Sequence, residues 1–386
     1  MNKRENRFCR LIATQVLSRS DAARLERYVT AGADWPTVAQ DTFREGLSPL
    51  FYYHCRNLDL LSYLPQETRR YLGRIYAETS IINRHILRTM DELGDALKRR
   101  SLDVIVFKGA ALLNDVYHDI ALRQMEDIDL LVKQEFLDDL RGLLESMGFV
   151  QSRFCANSYY KGIMSFDLHT DYVSSHRISG RQDLMDVKAA DMWCMSVPVS
   201  GGAFLRRLSL YDNLIALSFH LLKHRYRGLI WFVDIAEVIK KNQSALSWEE
   251  LVKYSRMVRA ERILLYAFLL MKHLVGFDVP DSILIDLGKN RLCFMEKILL
   301  RLCLTNADPG ALIYILWILQ VHGVTRKIRF ARETMFPRQE VMNQMFPASL
   351  PCLHVFLRRV IDTFSRISIN GVSAFRAVAK NGLPPL

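Results

Sequence analysis

Asp127 and Asp129 stand one residue apart in the run Asp127-Ile128-Asp129-Leu130-Leu131-Val132. In a strand, residues i and i+2 leave the same face, so two carboxylates project side by side from an apolar element. Like charges held that way repel one another and call for a compensating cation. Hard carboxylate oxygens suit Mg²⁺, or Mn²⁺, better than zinc. An Asp-x-Asp pair alone is weak evidence, because surface strands often alternate acids toward water.

The surrounding residues strengthen the reading. A β-rich run, Val104-Ile105-Val106-Phe107, leads into Lys108-Gly109-Ala110-Ala111. Gly109 permits a tight turn, and a helix opening at Ala110 offers free backbone N–H groups beside the Lys108 ammonium, a combination that attracts phosphate. Asp167, in Phe166-Asp167-Leu168-His169, lies in another short β-like run and is the candidate third carboxylate. Arg123, four residues before Asp127, is a candidate phosphate or structural cation. A nucleoside triphosphate with Mg²⁺ satisfies both halves of this set. His220 and His224 have zinc-compatible spacing, but no His-Glu-x-x-His accompanies them and Lys223 lies between them, so packing or a substrate-facing role is the better reading.

These residues need elements to hold them. Residues 1–100 read as a helical region, with apolar residues three and four apart as in Ile81, Ile82, Ile86, Met90, Leu93 and Leu97, and a last helix over roughly 65–100. Residues 101–200 read as a small α/β core: strands at Val104, Ile128, Phe149, Ser158 and Ser165 alternate with helices over 110–118 and 134–147, and Gly148 is placed to end the second. Residues 201–386 read as a C-terminal helical domain, loose only from 381 to 386. The chain as a whole is mostly helical.

Composition bounds the class. Of 386 residues, 50% are hydrophobic and 24% charged, which excludes a disordered chain and allows two or three domains. Seven cysteines without a C-x-x-C pair predict reduced thiols and a cytoplasmic setting. The charged start Met1-Asn2-Lys3-Arg4 does not fit a signal peptide, and the apolar run over 311–319 is too short for a transmembrane segment. The net charge is +11, of which residues 325–386 carry +7 (ten Lys/Arg against three acids). Such a basic patch suits nucleic acid or another polyanion, although a solvated face is the commoner explanation. The stripe Leu353, Phe356, Leu357, Val360, Ile361 and Phe364, with Arg358, Arg359 and Arg366, predicts a core-packed amphipathic helix.

Lys108-Gly109-Ala110-Ala111-Leu112, Tyr117, Arg123-Gln124-Met125-Glu126-Asp127-Ile128-Asp129-Leu130-Leu131-Val132 and Asp167-Leu168-His169 together resemble the bacterial uncharacterised nucleotidyltransferase family of the polymerase-β-like superfamily. His220-Leu221-Leu222-Lys223-His224, Trp231-Phe232-Val233-Asp234-Ile235-Ala236, Phe336-Pro337 and Leu357-Arg358-Arg359 resemble its C-terminal helical part, so the likeness covers roughly residues 80–360. The resemblance implies a polymerase-β-like α/β (α+β) core between helical regions. It implies transfer of a nucleoside monophosphate from MgNTP, with ATP the expected co-substrate, to a small-molecule, peptide or protein acceptor. Asp127, Asp129 and Asp167 would be catalytic metal ligands, and Lys108, Gly109, Ala110 and Arg123 would face the phosphates. Many superfamily members carry Gly-Ser or Gly-Gly at the turn where this chain has Gly109-Ala110, so no serine hydroxyl is available there. The alternative is a catalytically degenerate nucleotide- or RNA-binding module that uses the basic C-terminal region.

Overall fold

The computed structural model describes residues 3–173, 175, 179–186, 189–199, 202–305 and 310–335. The amphipathic stripe expected between 353 and 366, the loose end at 381–386, the Phe336-Pro337 and Leu357-Arg358-Arg359 matches and most of the basic tail lie outside the described residues.

Short apolar runs bounded by turns form the strands of one mixed sheet: β1 (Val104–Phe107), β2 (Ile128–Leu131), β3 (Val150–Gln151), β4 (Ser158–Lys161), β5 (Met164–His169), β6 (Val197–Val199) and β7 (Gly202–Arg207). Their spatial order is β3-β4-β5-β2-β1-β7-β6. β1 runs antiparallel to β2 and parallel to β7, and β2 runs parallel to β5. The central strands β1 and β2 are buried at every position, which explains their nearly unbroken hydrophobicity.

Period-2 alternation divides the sheet between two cores. Val104, Val106, Ile128, Leu130, Phe166 and Leu168 point to one face, where Ile86, Met90, Leu93 and Leu97 of the helix Gln66–Arg100 and Leu140, Leu143 and Leu144 of the helix Leu137–Ser146 cover them. Ile105, Phe107 and Leu131 point to the other face and join a larger core running from Phe8 to Phe330, shared by the N-terminal and C-terminal helices. Asp129 is the register partner of Phe107, so its carboxylate leaves the sheet on this second side.

Two expectations change. The helix expected over 110–118 is a single turn, Gly109–Leu112, followed by turns; a helix that short adds little dipole, so side-chain cations matter more there. The sheet also continues past 200: β7 lies beside β1 where the sequence reading begins the helical region, its short Gly-headed run carrying no clear alternation. Gly148, at φ +84, follows the end of the helix Leu137–Ser146 as expected.

Candidate active site

Register brings the acids together. Asp129 on β2 and Asp167 on β5 are direct partners across a parallel ladder, which puts both carboxylates on one face. Asp127, two residues before Asp129 and immediately ahead of β2, lies close enough to interact with both carboxylates. His169, two residues after Asp167, also shares that face, and its Nε2 lies 2.8 Å from Asp129 Oδ1. Ser158 on β4 donates from Oγ to Asp167 Oδ1 at 2.6 Å. Asp129 and His169 are buried at 6% and 5% exposure, whereas Asp127 and Asp167 are partly exposed, so the cluster opens on one side.

Lys108 is the first counter-charge. Its ammonium donates to Asp129 Oδ1 and lies 4.7 Å from the centre of the Phe107 ring. Its backbone sits at φ 56 and ψ −140, a conformation that favours glycine and costs a side-chain-bearing residue about 1–3 kcal/mol. The buried ion pair with Asp129 helps hold it there. Gly109 is closely approached: a Cβ there would stand 2.5 Å from Met125 Sδ and 3.3 Å from Arg123 Cζ, so a larger residue would displace the Met125 side chain. Ala110 follows it, buried in the single helical turn.

Arg123 answers a different acid. Its guanidinium forks onto Asp234 of the helix Leu229–Lys241, Nε to Oδ1 at 3.2 Å and Nη2 to Oδ2 at 2.8 Å. Tyr117 donates to the same Oδ1 at 2.6 Å. Asn83 Nδ2 donates to the carbonyls of Ile120 and Arg123 at 2.5 and 2.7 Å, holding the segment that leads to Asp127. Arg123 thus ties the acid-bearing loop to the C-terminal helices, and its carboxylate partner lies 111 residues away.

The charges do not balance within the cluster. Three carboxylates crowd this site, where the Lys108 ammonium bonds Asp129, and the titration behaviour reflects this. Burial, then Asp129 and Asp167, push Asp127 up to about 6. Burial also works to raise Asp129, but Lys108 and His169 outweigh it and hold that carboxyl well below the usual range. Burial, then Lys108, lower His169, so its imidazole is neutral near pH 7. A divalent cation fits this excess of negative charge, and the oxygen-rich donor set is of the right kind for one.

The one group of metal-ligating side chains found among the described residues is Asp129, Asp167 and His169, whose donor atoms lie within 4.8 Å of one another. Asp127 stands beside that set and interacts with both carboxylates. Sequence reasoning placed His169 only within a motif. Its i+2 spacing from Asp167 on a strand was the signal that puts both on one face. His220 and His224 form no such group; their rings meet at a tilt at 4.4 Å, and Trp231 lies edge-to-face with His220 at 4.7 Å and tilted against His224 at 4.5 Å. Burial, then Lys108, keep His220 neutral, so this aromatic cluster adjoins the acids without adding charge.

No helix among the described residues is long and apolar enough to cross a membrane. No curated protein and no solved structure matches the chain. The family model described as uncharacterised nucleotidyltransferase matches residues 31–276, a span that holds every strand of the sheet, the four acids Asp127, Asp129, Asp167 and Asp234, and both cations bonded to them, and the chain belongs to that family.

Proposed function

We propose that the protein transfers a nucleoside monophosphate from an NTP, with ATP the expected donor, to an acceptor hydroxyl or comparable nucleophile, on a polymerase-β-like core. The observation that carries this reading is the pairing of Asp129 with Asp167 across β2 and β5, with Asp127 close to both, in a chain of a nucleotidyltransferase family. The acceptor oxygen would attack the α-phosphorus, the bond to the bridging oxygen would break, and pyrophosphate would leave with its electron pair. A bound Mg²⁺ or Mn²⁺ supplies charge neutralisation of the triphosphate and activation of the acceptor.

The chain's own residues do the rest. Asp167, anchored at one oxygen by Ser158, is assigned to accept the acceptor's proton. Lys108, beside both Asp129 and the Gly109 bend, is assigned to the phosphates. Arg123, engaged by Asp234, positions the loop that carries Asp127. Rate arises from alignment and charge stabilisation, since phosphoryl chemistry asks little covalent participation of a protein.

The test is incubation with each α-labelled NTP and candidate acceptor fractions in Mg²⁺ or Mn²⁺, followed by mass spectrometry of the labelled product. A nucleotide-linked product with stoichiometric pyrophosphate, absent with Asp127→Asn, is expected. ATP binding that needs no divalent ion and yields no adduct with any acceptor would discard the reading in favour of a binding module.

A further inference from the structure

We propose that Asp129, Asp167 and His169 bind one divalent ion directly, and that the imidazole makes this site prefer Mn²⁺ to Mg²⁺. The inference rests on the metal-dependent reading above and adds the identity of one ligand and the class of ion.

The geometry points to a ligand as well as a neighbour. Two donors at about 2.1 Å from an octahedral ion and at right angles are roughly 3 Å apart. His169 Nε2 and Asp129 Oδ1, an oxygen that also accepts from Lys108, are separated by 2.8 Å, and one ligand atom from each of Asp129, Asp167 and His169 lies within 4.8 Å of the others. The ring is fixed in place: His169 ends β5 beside Leu131 and meets the Phe107 ring edge-on at a centroid distance of 5.3 Å. Because parallel pairing puts Asp129 level with Asp167, residue 169 falls one i+2 step further along the same face.

Chemistry then selects the ion. Mg²⁺ favours oxygen ligands and releases its waters reluctantly, whereas imidazole is a good ligand for first-row transition ions. Two carboxylates and one imidazole, open on the side where Asp127 and Asp167 are partly exposed, leave positions for phosphate oxygens. Asp127 remains outside this set, beside it, as a carboxylate for a second ion.

Pulsed electron paramagnetic resonance on the full chain loaded with Mn²⁺ and a non-transferable ATP analogue tests this directly. Nitrogen modulation from a coordinated imidazole is expected, retained in His220→Gln and lost in His169→Gln. Competition titration should show Mn²⁺ held at least tenfold more tightly than Mg²⁺, with that ratio falling toward one in His169→Gln. Mn²⁺ bound without nitrogen coupling in the wild-type protein, or a metal preference unchanged by His169→Gln, overturns the proposal and makes His169 a hydrogen-bond partner of Asp129. Should His169→Gln fail to fold, ¹⁵N-histidine labelling of the wild-type and His220→Gln proteins still decides whether a histidine nitrogen is bound. Nucleotide transfer with either ion would survive that failure, so the two readings fall separately.

Discussion

Asp127 and Asp129 are chemically identical and two residues apart, yet their surroundings divide their roles. Asp129 is bonded to Lys108 and His169, whereas Asp127 meets mainly other carboxylates. Replacing either by Asn should lower transfer by at least about a hundredfold. Stability should separate them. Asp129→Asn leaves the buried Lys108 ammonium without its partner and should cost about 3–5 kcal/mol in urea unfolding; Asp127→Asn removes repulsion and should leave stability unchanged or raised. The pH dependence follows from the sign of the Asp127 shift. Its folded pKa of about 6 exceeds the ordinary value of 3.8, so its contribution to stability is fully present below that ordinary value and lost as pH rises through 6. With a chelator present, wild-type stability relative to Asp127→Asn should therefore fall between pH 4 and pH 7. A difference that stays flat across that range would mean that Asp127 is not repelled by its neighbours.

At the scale of elements, the staple between Arg123 and Asp234 joins the loop before β2 to the helix Leu229–Lys241. Both partners are buried, so Asp234→Asn should cost about 3–5 kcal/mol, read by denaturant unfolding, and should lower kcat by loosening the segment that carries Asp127. Wild-type stability in that variant would show that the fork is incidental. The elements also show how far the sequence could be read. β1 was legible as an unbroken apolar run, β2 and β5 because an acid interrupts each otherwise apolar run, and the helix Gln66–Arg100 because its buried residues keep helical spacing over many turns. β7 was not, since its six residues, headed by glycine, show no clear alternation, and three of them, Leu205 to Arg207, pair with β1, which lies about a hundred residues earlier. The partner of Arg123 was equally hidden: Asp234 carries no local mark of an acid that must meet a cation 111 residues earlier. Asp129, Asp167 and Lys108 are brought together by register, whereas the balance among Asp127, Asp129 and His169 depends on burial, which no spacing rule conveys.

Across the whole molecule, residues ahead of the matched family span are wired into the site. Gln15 Nε2 donates to the Val116 carbonyl at 3.1 Å, and its Oε1 accepts from the His118 backbone N–H at 3.0 Å. These contacts flank Tyr117, which donates to Asp234, so the N-terminal segment, the acid-bearing loop and the C-terminal helices close on one point. His54 locks that segment: its Nε2 lies 2.8 Å from the Thr14 carbonyl, and the side chain is 4% exposed. A core from Phe8 to Phe330 is shared by N-terminal helices, C-terminal helices and one face of the sheet, so tryptophan fluorescence and far-ultraviolet circular dichroism should report one transition. Acid should undo that unit through His54. Burial lowers its pKa to about 4 against an ordinary 6.5, so the stability it contributes is present above 6.5 and lost as pH falls through 4. Between pH 7.5 and pH 5 this single group should cost the wild-type protein about 2 kcal/mol. His54→Gln keeps a donor for Thr14 and removes the titration, so the wild-type protein should lose that much more stability than the variant on acidification. If the gap between the two proteins is the same at pH 7.5 and pH 5, His54 is not the neutral clasp that joins the helix Ser48–Asn57 to the N-terminal segment.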